Sequence, residues 1–280
     1  MRLRNNLALL CLVLVTAGCT PDSGGPSSWP DLVRSAREHA ERLDRDPVIA
    51  VVDSGVEATH PALRQQVVQA WSAPGLPDGR SPHGTQIAGL IAGRPHGEFS
   101  GGLVERARLL DVRVLDDTGQ AGPGAVAEGI DWAVAADAAY IVTSFGTERD
   151  DPALRAAVAR AVGAGVVVVA AAGNGFGSFD FYPAAYPGVV AVTAHDGHGK
   201  RLALANGKAA DLAAPGNDLL APIPGGRYQT INGTSAAAAV AAGVIAACRD
   251  AGTPPDPAGL GTVSFPEGDV PALECQQGKE

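Results

Sequence analysis

The chain alternates short apolar runs rich in β-branched residues with longer stretches of helical character, and this alternation restricts its fold more than any other feature. Five runs are predicted to be strands, namely 48–52, 107–115, 140–144, 166–171 and 189–194. The stretches predicted to be helices are 85–92, 121–136, 152–162 and 234–249. Alternating β and α units favour a parallel sheet with helices on both faces. We therefore expect an α/β fold with three layers.

The composition is compatible with a globular chain and argues against some functions. Apolar residues make up 46% of the 280 residues, which is normal for a globular protein and too high for a disordered one. The 36 glycines and 21 prolines predict many turns. The formal net charge of -9 disfavours nucleic-acid binding, because that function needs a basic surface. We expect a monomer that binds no nucleic acid.

The amino terminus has the pattern of an export signal. Residues 1–18 start with a positively charged stretch and continue into the apolar run 7–15, which is shorter than the roughly 20 residues that span a bilayer as a helix. The sequence TAGC that ends at Cys19 resembles a bacterial lipobox, in which cleavage precedes an acylated cysteine. We therefore expect Cys19 to be lipidated and the protein to be anchored to a membrane of the bacterial cell envelope. The alternative is ordinary cleavage near Ala17, which leaves Cys19 as a free thiol.

Two segments connect this signal to the predicted sheet. Residues 19–29 favour a flexible tether. Residues 30–46 favour an N-terminal helix, because a capping sequence at Ser28–Asp31 precedes apolar residues at helical spacing. We expect this helix to pack on the main domain, and a regulatory role is the alternative. The main domain is predicted to span residues 47–249 and to be followed by an irregular tail, residues 250–280.

Polar side chains follow predicted strands or begin predicted helices, which is where ligands bind in open parallel sheets. The selected residues are Asp53, His83, Asn174 and Ser235. Each has an ordinary alternative as a turn, loop or helix-cap residue. Together they supply a nucleophile, a base, a residue that orients the base, and an amide that can donate to an oxyanion. This combination favours acyl-transfer chemistry.

The segments that carry these residues resemble the motifs of subtilisin-like serine proteases. Val48–Leu63 (VIAVVDSGVEATHPAL) resembles the aspartate motif of that family, His83–Gly93 (HGTQIAGLIAG) the histidine motif, and Gly233–Gly243 (GTSAAAAVAAG) the serine motif. The similarity covers roughly residues 46–249. The resemblance implies a three-layer subtilisin-like fold around a parallel sheet.

The resemblance also implies a serine endopeptidase that cleaves polypeptides through an acyl-enzyme intermediate. Asp53, His83 and Ser235 would form the catalytic triad, and Asn174 would be the oxyanion donor. The residues implied to line the substrate cleft are Ser144, Phe145, Gly146, Ala171, Ala172 and Gly173. An extended peptide would pair with their backbone as an added strand. Because no acid occurs among them, we expect an apolar or small residue before the scissile bond.

The chain departs from the family pattern outside the triad, and other functions stay open. The residues that replace common family residues are Pro82, Gln86, Val142, Ala236 and Ala239. One alternative is a catalytically inactive relative that binds peptides or a partner protein at the envelope. Another is an esterase or peptide ligase that uses the same triad. No cofactor and no metal site are expected; some relatives hold structural calcium, but no ligands for it can be identified in this sequence.

The cysteines contain no CxxC pair, which argues against a zinc site. Cys248 and Cys275 are predicted to form a disulfide in an oxidising compartment and so to tie the tail to the main domain. Closing a loop of about 28 residues would stabilise the fold by roughly 3–4 kcal/mol. The alternative is two free thiols.

Overall fold

The computed structural model describes residues 29–273, except residues 80, 123, 176–177, 209, 250–261 and 266–267. Its helices are α1 (Trp29–Ala40), α2 (His83–Ala92), α3 (Ala125–Ala135), α4 (Pro152–Gly163) and α5 (Thr234–Arg249), and a 3-10 turn spans Pro61–Leu63. Its strands are β1 (Val48–Asp53), β2 (Val67–Ser72), β3 (Arg108–Arg113), β4 (Tyr140–Thr143), β5 (Val167–Ala171), β6 (Val189–His195), β7 (Leu212–Pro215), β8 (Leu219–Ile223), β9 (Arg227–Ile231), β10 (Thr262–Phe265) and β11 (Gly268–Pro271).

A seven-stranded sheet with the strand order β2-β3-β1-β4-β5-β6-β7 forms the middle layer. All neighbouring strands in it pair in parallel. Successive side chains point to opposite faces: on β1, Ile49 and Val51 join one buried cluster, whereas Ala50 and Val52 join the other. Burial on both faces explains why inner strands such as β1 and β5 consist almost wholly of apolar residues.

Helices cover both faces of this sheet. Buried residues of α1, α2 and α5 belong to the cluster on one face, and those of α3 and α4 belong to the cluster on the other. The small side chains at Ala236–Ala242 are buried, which allows α5 to lie close to the sheet. The predicted α/β class, with a parallel sheet between helical layers, is confirmed.

The strand order reverses at β1, and this position locates the site. β1 lies between β3 and β4, so the chain leaves β1 toward one edge of the sheet and later returns to build the other half. Such a switch point opens a crevice at the carboxyl ends of the strands. Asp53 ends β1 and Ser144 follows β4, so both lie at this crevice.

The predicted strands correspond to β1, β3, β4, β5 and β6 and differ from them by at most two residues at either end. α3 begins four residues later than predicted, at Ala125, because Gly124 takes a left-handed conformation with φ of 75° and ends the preceding turn. α1 ends at Ala40, well before Pro47, and is followed by a turn. β8 and β9 form a separate antiparallel pair that the sequence did not indicate.

The tail contains regular structure, contrary to the irregular course expected for residues 250–280. β10 and β11 pair antiparallel, and Ala272 forms a parallel bridge to Ala213 of β7. The Leu273 N–H donates to the Ala213 carbonyl at 2.7 Å, and Leu273 is buried. Each of these strands has only 4 residues, too few for a period of two to be recognised. The tail therefore covers part of the β7 edge of the sheet.

Several predicted features lie outside the described residues, among them the signal at 1–18 and Cys19. Cys248, near the end of α5, is disulfide-bonded. Cys275 also lies outside the described residues, so its pairing with Cys248 stays a prediction that mass measurement before and after reduction would test. Within the described part of the chain, no helix has both the length and the apolar character needed to cross a bilayer.

Arg37 joins α1 to the loop that follows α2. Its Nε donates to the Gly102 carbonyl at 3.0 Å, and its Nη2 donates to the Ser100 carbonyl at 2.6 Å. Its guanidinium also lies 3.2 Å from the Glu105 carboxylate. These contacts hold the loop against α1.

Replacing Arg37 by leucine is expected to lower the free energy of unfolding by about 1–2 kcal/mol, because two carbonyl oxygens lose a charged donor. The measurement is the midpoint of urea unfolding. Arg34→Leu is the matched control, since Arg34 pairs with Asp31 at exposed positions and its loss should cost at most about 0.5 kcal/mol. Equal effects of the two changes would contradict this role of Arg37.

Candidate active site

Asp53 and His83 form a buried pair at the crevice. Each carboxylate oxygen of Asp53 lies 2.9 Å from His83 Nδ1. The Asp53 side chain is 1% exposed and the His83 side chain 29% exposed, so the pair is largely shielded while the ring retains access to the cleft. Because the carboxylate accepts, Nδ1 carries the proton and Nε2 of the neutral ring is left as an acceptor.

The pKa of His83 reflects two opposing effects. Burial lowers it, whereas the negative charge of Asp53 and the hydrogen bond to Asp53 raise it more, so that the pKa of His83 lies above its ordinary value of 6.5. The position of His83 at the start of α2 predicts the opposite direction, because the positive end of a helix favours neutral imidazole. The contact with Asp53 therefore determines the direction of the net shift in the pKa of His83.

Ser54 connects the two halves of this pair, and its role was not predicted from the sequence. Its Oγ accepts from the Gly84 N–H at 3.1 Å and lies 3.1 Å from Asp53 Oδ1. Its own N–H donates to the same oxygen at 2.7 Å. A Cβ on Gly84 would lie only 2.5 Å from the Gly55 carbonyl oxygen, so a glycine is needed where α2 approaches β1. In the sequence, Ser54 directly follows Asp53 and Gly84 directly follows His83. These two small residues are the pattern from which the contact could have been predicted.

Ser235 lies in the first turn of α5 and faces the end of β4. Its Oγ donates to the Ser144 carbonyl at 2.6 Å, and the Ser144 Oγ donates back to the Ser235 carbonyl at 3.0 Å. A hydroxyl has one hydrogen, so transfer of that proton to His83 requires the Ser235 hydroxyl to turn away from Ser144. The first N–H groups of a helix have no partner within it, so negative charge is stabilised beside Ser235.

Asn174 lies beside the start of α5, and its side chain is exposed. Its Oδ1 accepts from the Thr234 N–H at 3.1 Å, which leaves the Nδ2 group as a donor for another acceptor. A Cβ on Gly233, where φ is 104°, would lie 2.9 Å from this Oδ1, so glycine permits the close approach. The structure thus brings Asn174 to the helix start that carries Ser235.

The two predicted cleft segments lie at the carboxyl ends of β4 and β5, which pair in parallel. Ser144–Gly146 contacts Ser235 directly through Ser144. In the second segment, Asn206 Nδ2 donates to the Ala172 carbonyl at 2.8 Å, and the Asn206 N–H donates to the Gly173 carbonyl at 3.0 Å. These two carbonyls are thus engaged within the protein, and the pairing of a peptide with Ala171–Gly173 stays a prediction.

A cavity of about 510 Å³ opens beside Ser144–Gly146 and was not identified from the sequence. Its lining includes Leu115, Val126, Phe145, Leu154 and Tyr182. These side chains come from segments far apart in sequence, which is why no local pattern indicates the cavity. It can accommodate an apolar side chain. Among the described residues, no group of three or more His, Cys, Asp or Glu residues could hold a metal ion.

Comparison with known proteins gives consistent results. Residues 44–254 match the family described as the subtilase family. The chain is 37% identical over 207 residues to subtilisin E of Bacillus subtilis (strain 168), covering 71% of this chain and 54% of that protein. It is 36% identical over 201 residues to thermitase of Thermoactinomyces vulgaris, covering 70% of this chain and 72% of that protein.

A solved structure also resembles the chain. A serine-to-alanine mutant of the protease domain of PatA matches with a TM-score of 0.67 and 32% identity, and the match covers 76% of this chain and 84% of that chain. This chain spans about half the length of the curated relatives that it matches first, since the matched part is 54% of each of them.

Proposed function

This chain belongs to the subtilase family, and from that premise we propose that it is a serine endopeptidase that hydrolyses peptide bonds in polypeptides. The observation that carries the proposal is the hydrogen-bonded pair of Asp53 and His83, at 2.9 Å, at the end of β1, while Ser235 contacts Ser144 at the end of the neighbouring strand β4. A shielded carboxylate that orients a histidine allows that histidine to take the proton of a nucleophile, which peptide binding alone does not require.

In the proposed mechanism, Ser235 Oγ attacks the peptide carbonyl carbon while His83 Nε2 takes its proton. Asp53 stabilises the imidazolium that forms. The oxyanion of the tetrahedral intermediate accepts hydrogen bonds from Asn174 Nδ2 and the Ser235 N–H. The imidazolium then gives its proton to the leaving amine, and an acyl-enzyme on Ser235 is left. Water hydrolyses this ester by the reverse sequence and regenerates the free hydroxyl.

We infer that a polypeptide substrate lies in extended form along Ser144–Gly146. The cavity beside this segment would take one apolar side chain of the substrate. The segment Ala171–Gly173 would face the residue that carries the scissile carbonyl, because Asn174 follows this segment directly. The proposed reaction requires no cofactor and no nucleic-acid partner.

We propose further that the protein is exported and held in the bacterial cell envelope by lipid on Cys19. The signal pattern of residues 1–18 and the sequence TAGC at Cys19 support this location. Cells grown with a fatty-acid analogue that can be coupled to a dye should label the wild type and not Cys19→Ala. Equal labelling of both would contradict lipidation at this residue.

The pH dependence of activity follows from the His83 contact with Asp53. A general base must be neutral, so kcat/KM should fall as pH drops through the pKa of His83. Because that pKa is raised, the acidic limb should lie above pH 6.5. A profile of kcat/KM against pH for a fixed peptide checks this, and a limb well below pH 6.5 would contradict it.

The second candidate function is a catalytically inactive protein that binds peptides or a partner. One observation favours it: the Ser235 hydroxyl donates to Ser144 and not to the imidazole. An active enzyme must release this hydrogen bond in each cycle, whereas a binding protein could retain it.

A digest separates these functions. The purified protein would be incubated with casein and, separately, with a peptide and its matched ester, with Ser235→Ala beside it. We expect internal cleavage of casein by the wild type alone, identified by mass spectrometry. Ester hydrolysis without peptide cleavage would favour an esterase, and no turnover of any substrate would favour the binding function.

A further inference from the structure

Phe181 lies between the two segments that form the cleft. A Cβ on Gly146 would lie 2.6 Å from Cε1 of Phe181, and a Cβ on Gly173 would lie 2.8 Å from its Cγ. Real Cβ atoms do not approach other atoms so closely, so the ring packs directly on both glycine backbones. The aromatic ring therefore occupies the space between Ser144–Gly146 and Ala171–Gly173.

Contacts on both sides hold the ring there. The N–H of Thr147 donates to the Tyr182 carbonyl at 2.9 Å, and the N–H of Tyr182 donates to the Thr147 carbonyl at 2.8 Å, which ties the chain beside Phe181 to the first segment. Asn206 Nδ2 donates to the carbonyls of Ala172 and Phe179, at 2.8 and 2.7 Å, which ties the same loop to the second.

The neighbouring ring of Phe179 adds to this constraint. It packs edge-to-face on Phe181, with the ring centroids 6.0 Å apart and an interplanar angle of 76°. Moving Phe181 out of the space between the two cleft segments would break this ring contact and separate the loop that carries Phe181 from Ala171–Gly173. The ring is thus a fixed part of the cleft.

The space that the ring occupies is the one toward which a substrate side chain would point. Ser235 Oγ lies 2.6 Å from the Ser144 carbonyl oxygen, and Asn174 directly follows Gly173. A carbonyl carbon attacked by Ser235, with its oxygen directed at Asn174, lies between these two segments. The residue that carries this carbonyl must project its side chain into the gap between them.

We propose that Phe181 closes this gap to large side chains, so that the chain cleaves after glycine or alanine. This inference rests on the proposed function. A leucine or phenylalanine side chain would overlap the ring, and overpacking of this kind disfavours binding of such a substrate. The sequence predicts an apolar or small residue at this position, and the position of Phe181 narrows that prediction to a small one.

Two peptides that differ only in alanine or phenylalanine before the scissile bond test the inference. The wild type should show a kcat/KM about 100-fold higher for the alanine peptide. Phe181→Ala should lower the ratio of kcat/KM for the alanine peptide to kcat/KM for the phenylalanine peptide about 10–100-fold. Equal use of both peptides by the wild type would overturn the proposal, and so would a Phe181→Ala variant that keeps the preference for alanine.

Tyr228→Ala is the matched control for loss of a half-buried aromatic ring. Tyr228 lies on β9, and its ring contacts are with His60, His96 and Phe99, none of which belongs to a cleft segment. It should retain the preference of the wild type for alanine. If Tyr228→Ala broadened the preference as much as Phe181→Ala, general loosening of the fold would explain the result and the proposal would be wrong.

A binding measurement separates this inference from the proposed function. The Ser235→Ala protein would be titrated calorimetrically with peptides that end in alanine or phenylalanine, with and without Phe181→Ala. We expect tighter binding of the alanine peptide only where Phe181 is present. If the alanine peptide binds more tightly only where Phe181 is present, the role of Phe181 is supported. If, in addition, the wild type hydrolyses no peptide, the protease function is overturned. Hydrolysis with no difference in binding, or no binding of either peptide, would overturn the role of Phe181.

Discussion

Ser235→Ala is expected to lower kcat for peptide hydrolysis about a millionfold, because the change removes the only atom that forms the acyl-enzyme. The helix start, the Asn174 amide and the cleft remain, so peptide binding should persist. The measurement is hydrolysis of a chromogenic peptide at saturating concentration, at a pH above the pKa of His83.

The control for this change is Ser178→Ala, an exposed serine on a loop of the same face. It should keep the activity of the wild type within about twofold, as surface changes of this kind have little effect. Both variants should unfold at the same urea concentration as the wild type. A Ser235→Ala protein with more than about a thousandth of the original kcat would place the nucleophile elsewhere.

Asp53→Asn is expected to lower kcat about ten-thousandfold. Asparagine has nearly the same shape, but its NH2 group can face Nδ1 and hold the imidazole in the wrong tautomer. The charge that stabilises the imidazolium is lost as well. The remaining burial of His83 lowers its pKa, so the acidic limb of kcat/KM should move from above pH 6.5 to lower pH.

The movement of this limb is the decisive observation for Asp53, because simple loss of folded enzyme lowers activity at every pH alike. Asp46→Asn is the control, since Asp46 pairs with Arg106 at exposed positions and does not contact His83. It should leave both kcat and the limb in place. An acidic limb that stays where it is in Asp53→Asn would show that Asp53 does not set the pKa of His83.

Much of the site can be predicted from the sequence because it depends on local position. Asp53 and Asn174 follow short, β-branched apolar runs that favour buried strands, and His83 and Ser235 begin stretches of helical character. In a parallel sheet the carboxyl ends of the strands share one edge, so residues far apart in the chain are expected to meet. The motifs of the family then indicate the same residues.

The remaining parts depend on contacts that no local pattern encodes. The position of Phe181 between Gly146 and Gly173 depends on how two loops pack against each other. The contact of Ser54 with Gly84 depends on how closely α2 approaches β1. The direction of the His83 shift depends on how close Asp53 comes, which spacing in the sequence does not give. β2 was not predicted because Gln69 interrupts its apolar residues, so it lacks the continuous run that marks β1 and β5, and most of its residues are exposed.

The most direct test of the proposed chemistry is covalent labelling with a fluorophosphonate, which reacts only with a serine that a neighbouring base activates. The purified protein would be treated, digested and analysed by mass spectrometry to locate the adduct. We expect a single adduct on Ser235 that is absent from Ser235→Ala and strongly reduced in Asp53→Asn. A wild-type protein that stays unlabelled, or that carries the adduct on another residue, would contradict the triad of Asp53, His83 and Ser235.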